Sequence, residues 1–186
     1  MVNPFRAIAA MLGWIKTPAL EASDMSAWDF GFSSIDGGEL PLAQYRGQVV
    51  MVVNTASRCG LTPQYEALEG IYRQYRDRGF VLLGVPSNDF AGQEPGTEAE
   101  IKSFCTTKFA VDFPLTGKSS VIGAEAHPFY RWVVAERGDA AAPRWNFHKI
   151  LVGRDGEIAG IFSSRTVPDA AEVTGAIETA LESPPT

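Results

Sequence analysis

Apolar and polar positions along the chain alternate between two periods. Val49 to Val53 reads Val-Val-Met-Val-Val, with no polar break. Such a run fits a strand buried on both faces. Phe80-Val81-Leu82-Leu83-Gly84-Val85 repeats the pattern and predicts a second buried strand. Between them Leu68, Ile71, Tyr72 and Tyr75 recur at helical spacing, predicting a helix over 63–77 that stops at Gly79. Thr62 is placed to cap this helix and Pro63 suits its first position. Thr97-Glu98-Ala99-Glu100 reads as a capping box opening a helix through Ile101, Phe104 and Phe109. Pro128 to Glu136 and Pro168 to Leu181 predict two further helices. Lys149–Val152 and Ile158–Phe162 flank Arg154-Asp155-Gly156-Glu157, an antiparallel hairpin signal, and Asp36-Gly37-Gly38 marks another between short strands.

A strand-helix-strand unit followed by helices, a hairpin and a last helix predicts an α/β fold. Its central mixed β-sheet is flanked by helices, with an N-terminal β-hairpin. This is the layout of a thioredoxin-like fold. The domain is expected over 25–183, and residues 1–24 form an extension. Ala7 to Ile15 is apolar, but nine residues are too few to cross a bilayer. The stretch reads either as the core of a weak signal peptide or as a segment lying on the domain or a membrane surface. Lys16 and the lack of a small-x-small site argue against cleavage, so the expected location is the cytoplasm, with export or surface association as the alternative.

Composition narrows the function classes. A net charge of −6 without a basic cluster argues against a nucleic-acid binder. Two cysteines are too few for a disulfide scaffold. Cys59, Cys105, His127 and His148 show no zinc-like spacing, and nothing in the pattern calls for a cofactor. The chemistry is therefore sought at sulfur. Cys59 lies where the first buried strand hands over to a helix N-terminus, where the helix dipole, backbone N–H groups and Arg58 would favour a thiolate. Taken alone, Cys59 also fits an inert core cysteine, Cys105 a packing residue, Gln93 a turn residue and Trp145 a core aromatic. His127 reads as a cap or surface residue before Pro128, and His148 carries no assignment.

Four segments together change that reading. They are Asn54-Thr55-Ala56-Ser57-Arg58-Cys59-Gly60-Leu61-Thr62-Pro63-Gln64-Tyr65, Pro86 to Gly96 containing Phe90-Ala91-Gly92-Gln93-Glu94-Pro95-Gly96, Phe104-Cys105-Thr106-Thr107-Lys108-Phe109 with Phe113-Pro114, and Trp145-Asn146-Phe147. In this order, over roughly residues 27–181, the chain resembles the glutathione peroxidase family. The resemblance implies an active-site tetrad of Cys59, Gln93, Trp145 and Asn146. Neutral donors at the last three suit a reaction in which a thiolate cleaves a peroxide and becomes a sulfenic acid. Arg58, Lys108 and Arg144 are candidate additional charges.

Cysteine stands where some members have selenocysteine, so the resemblance is to the thiol branch. There Cys105, 46 positions after Cys59, matches the resolving thiol. The implied product is a Cys59–Cys105 disulfide reduced by thioredoxin rather than glutathione. If the two thiols start apart, part of the Cys105 helix must unwind, since a disulfide needs Cα atoms within roughly 7 Å. Ser87 replaces a cysteine of many members and Asp89 a glutamine. Only 16 residues separate Pro128 from Trp145, too few for the family's tetramer insertion, which predicts a monomer with a site open to bulky lipid hydroperoxides. A peroxide sensor that relays oxidation to a partner protein is the alternative function. A thioredoxin-like disulfide reductase is disfavoured, because Thr62 stands where a C-x-x-C motif needs its second cysteine.

Overall fold

The computed structural model describes residues 25–184. The expectations for residues 1–24 lie outside this range. The chain opens with a hairpin, β1 (Gly31–Ser33) and β2 (Glu39–Pro41), turned at Gly37 and Gly38 with φ of 86° and 81°. Four strands build the main sheet in the order β4-β3-β5-β6: β3 (Val49–Thr55), β4 (Phe80–Pro86), β5 (Lys149–Val152) and β6 (Ile158–Phe162). β3 pairs β4 in parallel and β5 antiparallel, so Val52 stands between Leu83 and Ile150. This is the thioredoxin-like fold expected from the sequence.

Every residue of β3 and β4 is buried, which explains their unbroken apolar runs. Side chains alternate across a strand, so β3 feeds two cores. Val49, Met51 and Val53 face one core with Leu68, Ile71 and Tyr75 of α1 (Gln64–Tyr75). Ile101 and Cys105 of α2 (Glu98–Phe109) and Val173 and Ile177 of α4 (Ala171–Glu182) join the same core. Val50 and Val52 face the other, packed with Phe32, Leu40 and Phe129, Trp132 and Val133 of α3 (Pro128–Arg137).

Several boundaries follow the chemistry read from the sequence. Both bonds of the Thr97–Glu100 capping box form. His127 caps α3, its Nδ1 accepting from Phe129 N–H at 3.2 Å, ahead of Pro128 at the first turn. Gly79 takes the left-handed conformation, φ 90°, after a short 3-10 turn that extends α1. The last helix starts at Ala171, not Pro168, because Val167 to Ala170 close a turn with Ala170 N–H on the Val167 carbonyl.

Candidate active site

The segment between β3 and α1 is a series of turns, and Cys59 sits in its middle with 9 % of its surface exposed. Thr62 does not cap α1, contrary to the sequence expectation; α1 has no side-chain cap. Its hydroxyl accepts from Cys59 N–H at 3.0 Å and donates to the Ala56 carbonyl at 2.8 Å, so it braces the cysteine turn instead. One backbone donor reaches the sulfur: Leu61 N–H lies 3.4 Å from Cys59 Sγ. Arg58 is exposed, and its N–H donates to the Gln93 carbonyl at 3.0 Å, tying the cysteine turn to the next functional loop.

That loop follows β4 and bends through Ala91 and Gly92, both left-handed at φ 55° and 62°. The bend delivers Gln93, whose Oε1 accepts from Asn146 Nδ2 at 2.9 Å. Asn146 is fully buried and its Oδ1 has no partner among the described residues. Trp145 is 38 % exposed, its ring against Phe90 with centroids 5.7 Å apart. The structure thus brings Gln93 and Asn146 into direct contact and stands Trp145 at the surface beside them. A donated N–H pair from two neutral amides can stabilise an oxygen leaving as an anion without a titrating group.

Asn54, the first polar residue of the buried β3 run, was not singled out from the sequence. Its Nδ2 donates to the Trp145 carbonyl at 3.1 Å and its Oδ1 accepts from His148 N–H at 3.1 Å. Its carbonyl accepts from Phe147 N–H at 2.6 Å. A polar residue inside an otherwise apolar buried strand was the available signal. His148 is buried, and burial pushes its ring down to about 4.

Asp89 acts away from Gln93. Its carboxylate accepts from Val121 N–H at 2.6 Å, Ile122 N–H at 3.2 Å and Ser120 Oγ at 3.0 Å, stapling the loop to that segment. Ser87 is fully buried.

Cys105 lies on the inner face of α2 with no exposed surface, and both cysteines are free thiols. Burial pushes the Cys105 thiol up to about 11, the Tyr65 hydroxyl pulls it down and the Glu94 carboxyl pushes it up further. Glu94, also unmarked by sequence reasoning, is 1 % exposed and accepts from Ser57 Oγ at 3.1 Å. Burial holds its carboxyl above the usual range. It lines a cleft of about 220 Å³ between the cysteine turn (Ser57, Arg58) and α2 (Ile101, Phe104). A larger pocket of about 530 Å³ lies on the Trp145 side, lined by Leu61, Arg144, Ser163, Ser164 and Arg165. Lys108 is exposed near the end of α2.

The glutathione peroxidase family model matches residues 27–134. The hydroperoxy fatty acid reductase gpx1 of Synechocystis is 42 % identical over 159 residues, covering 80 % of this chain and 93 % of its own. The thioredoxin/glutathione peroxidase BtuE of Escherichia coli is 41 % identical over 169 residues, covering 79 % and 92 %. Among solved structures, the crystal structure of Trgpx in apo form superposes with a TM-score of 0.71 at 36 % identity, covering 87 % of this chain and 99 % of the other.

Proposed function

Because the chain belongs to the glutathione peroxidase family, we propose that it is a thiol peroxidase that reduces hydrogen peroxide and organic hydroperoxides through Cys59. The observation that carries this reading is the Gln93–Asn146 amide pair, bound to each other beside the cysteine turn through the Arg58–Gln93 backbone bond. The Cys59 thiolate attacks one peroxide oxygen and the O–O bond breaks. The second oxygen leaves as alkoxide or hydroxide, takes a proton and departs as alcohol or water. Cys59 is left as a sulfenic acid. Gln93, Trp145 and Asn146 serve as donors to the departing oxygen.

Cys105 then attacks the sulfenic sulfur, water leaves, and a Cys59–Cys105 disulfide forms. Both cysteines belong to one apolar cluster as free thiols, and local opening of α2 is the proposed route that brings their Cα atoms within the roughly 7 Å a disulfide needs. Only Ile101 and Cys105 of α2 are fully inward, which makes local opening of this helix inexpensive. Thioredoxin is the proposed reductant, because an intramolecular disulfide is the substrate a dithiol resolves, and one relative is named for both thioredoxin and glutathione. The pocket beside Trp145 joins apolar Leu61 to Arg144 and Arg165, which suits amphiphilic lipid hydroperoxides with an anionic group. The enzyme is proposed to act as a monomer.

The test is steady-state peroxide consumption with thioredoxin, thioredoxin reductase and NADPH, run beside glutathione with its reductase. Sustained turnover with thioredoxin, lost in Cys59→Ser, is the expected result. One stoichiometric turnover ending in a trapped mixed disulfide would instead support the sensor reading.

A further inference from the structure

Lys149 opens β5 with no exposed surface, an uncommon setting for an ammonium group. Its two hydrogen bonds go to neutral acceptors: Nζ donates to the Phe147 carbonyl at 2.6 Å and to Gln64 Oε1 at 2.8 Å. Among the described residues no carboxylate forms an ion pair with it. Burying a charge without an anion costs stability, so packing gives no reason for lysine where methionine would fill the space. The contacts supply one.

Phe147 has φ 66°, the left-handed region that an aromatic side chain rarely adopts. It directly follows Trp145 and Asn146, so the strained residue sets how those two leave the turn. Its N–H is held by the Asn54 carbonyl at 2.6 Å, and its carbonyl is held by Lys149. The second Lys149 contact reaches the other end of the same turn. Gln64, oriented by Nζ, donates Nε2 to the Ser164 carbonyl at 2.8 Å. Ser164 Oγ donates to the Trp145 carbonyl at 3.1 Å. Asn146 lies between these two anchors, with its Nδ2 on Gln93.

We propose that Lys149 is a positioning residue for peroxide reduction, its buried Nζ fixing the Phe147 carbonyl and Gln64 so that the left-handed turn holds Trp145 and Asn146 in their donor geometry. The assignment rests on the peroxidase reading of the same site. It concerns the oxidative half-reaction only, since disulfide exchange with a reductant makes no use of the donor geometry.

Lys149→Met keeps an unbranched side chain one heavy atom shorter and removes both bonds. Stopped-flow oxidation of the reduced protein by hydrogen peroxide is compared with dithiothreitol reduction of the preformed disulfide. The expected result is oxidation slowed by about ten-fold or more with disulfide reduction unchanged, because small displacements of catalytic groups are costly. Ser164→Ala, which cuts the far anchor with little packing change, should slow oxidation by about five-fold, the worth of one hydrogen bond, and answers the question if the methionine variant fails to fold. Oxidation at the wild-type rate in the folded methionine variant, or in Ser164→Ala if that variant does not fold, overturns the proposal. Equal slowing of both half-reactions overturns it too, since that marks a merely structural role. Failure of the wild-type protein itself to react with peroxide would count against the peroxidase reading rather than against Lys149.

Discussion

Cys105 differs from an ordinary reactive thiol because burial and a neighbouring carboxyl both oppose its ionisation. An anion near a thiol disfavours the thiolate, so replacing Glu94 by glutamine removes one of the groups that raise Cys105. In a Cys59→Ser background, Glu94→Gln should move the Cys105 titration midpoint down from about 11, followed by the Cys105 β-carbon chemical shift. An unchanged or raised midpoint would mean that the Glu94 charge does not reach the sulfur. Asn54 makes a second residue-scale case. Both ends of its buried amide are used, one on the Trp145 carbonyl and one on His148 N–H. Asn54→Ala leaves the buried His148 N–H unpaired and takes one of two donors from the Trp145 carbonyl, which keeps Ser164 Oγ, so it should cost roughly 2 kcal/mol. Urea unfolding measures that loss, and a cost under about 1 kcal/mol would show that water or rearrangement replaces both bonds. Cys59, Gln93, Trp145 and Asn146 stood out as candidates in the sequence because the family motifs mark them. Asn54, Glu94 and Lys149 were harder, because only the folded chain shows that they are buried and what they touch.

At the scale of elements, α2 is the part whose opening the proposed disulfide step calls on. Its N-terminus is fastened by the Thr97–Glu100 capping box, with Glu100 N–H on Thr97 Oγ1 at 3.3 Å and Thr97 N–H on Glu100 Oε2 at 2.7 Å. Its C-terminus turns back at Ala110, left-handed at φ 51°, whose N–H meets the Thr106 carbonyl while Val111 N–H meets that of Cys105. Thr97→Ala should weaken the helix by about 1 kcal/mol. If α2 opens before the sulfurs join, the same change should speed disulfide closure after a single peroxide pulse, measured by quenching free thiols over time. Slower closure would indicate that an intact α2 presents Cys105. The helix was legible because a capping box is a local pattern. Thr62 was misread for the converse reason: a hydroxyl before a helix serves a cap or a loop equally well, and here the Ala56 carbonyl six residues back decides. Asp89 could be seen as a departure from the family, but its role needed residues 120–122, over thirty positions away.

The two cores on either side of the sheet follow from period-2 alternation in β3, which is why the α/β layout could be read from the chain. What the pattern does not convey is the electrostatic cost stored in those cores. Lys149 looks like a polar strand start in sequence, yet burial pushes its amine down from 10.5 to about 7. In the unfolded chain this lysine keeps its proton up to the higher value, so between these limits the unfolded state binds more protons. Stability therefore rises with pH across this window, and the penalty is fully present below it. Cys105 works in the opposite direction: its thiol holds its proton to about 11 when folded but loses it from 9.0 when unfolded, so its contribution is lost as pH rises through that range. The clean interval is thus pH 7 to 9, bounded by these values. Over it the thermal midpoint of the reduced protein should climb, and Lys149→Met should flatten the climb because the titrating group is gone. A midpoint that is level in the wild type, or that climbs equally in the methionine variant, would show that the Lys149 amine ionises alike in folded and unfolded chains.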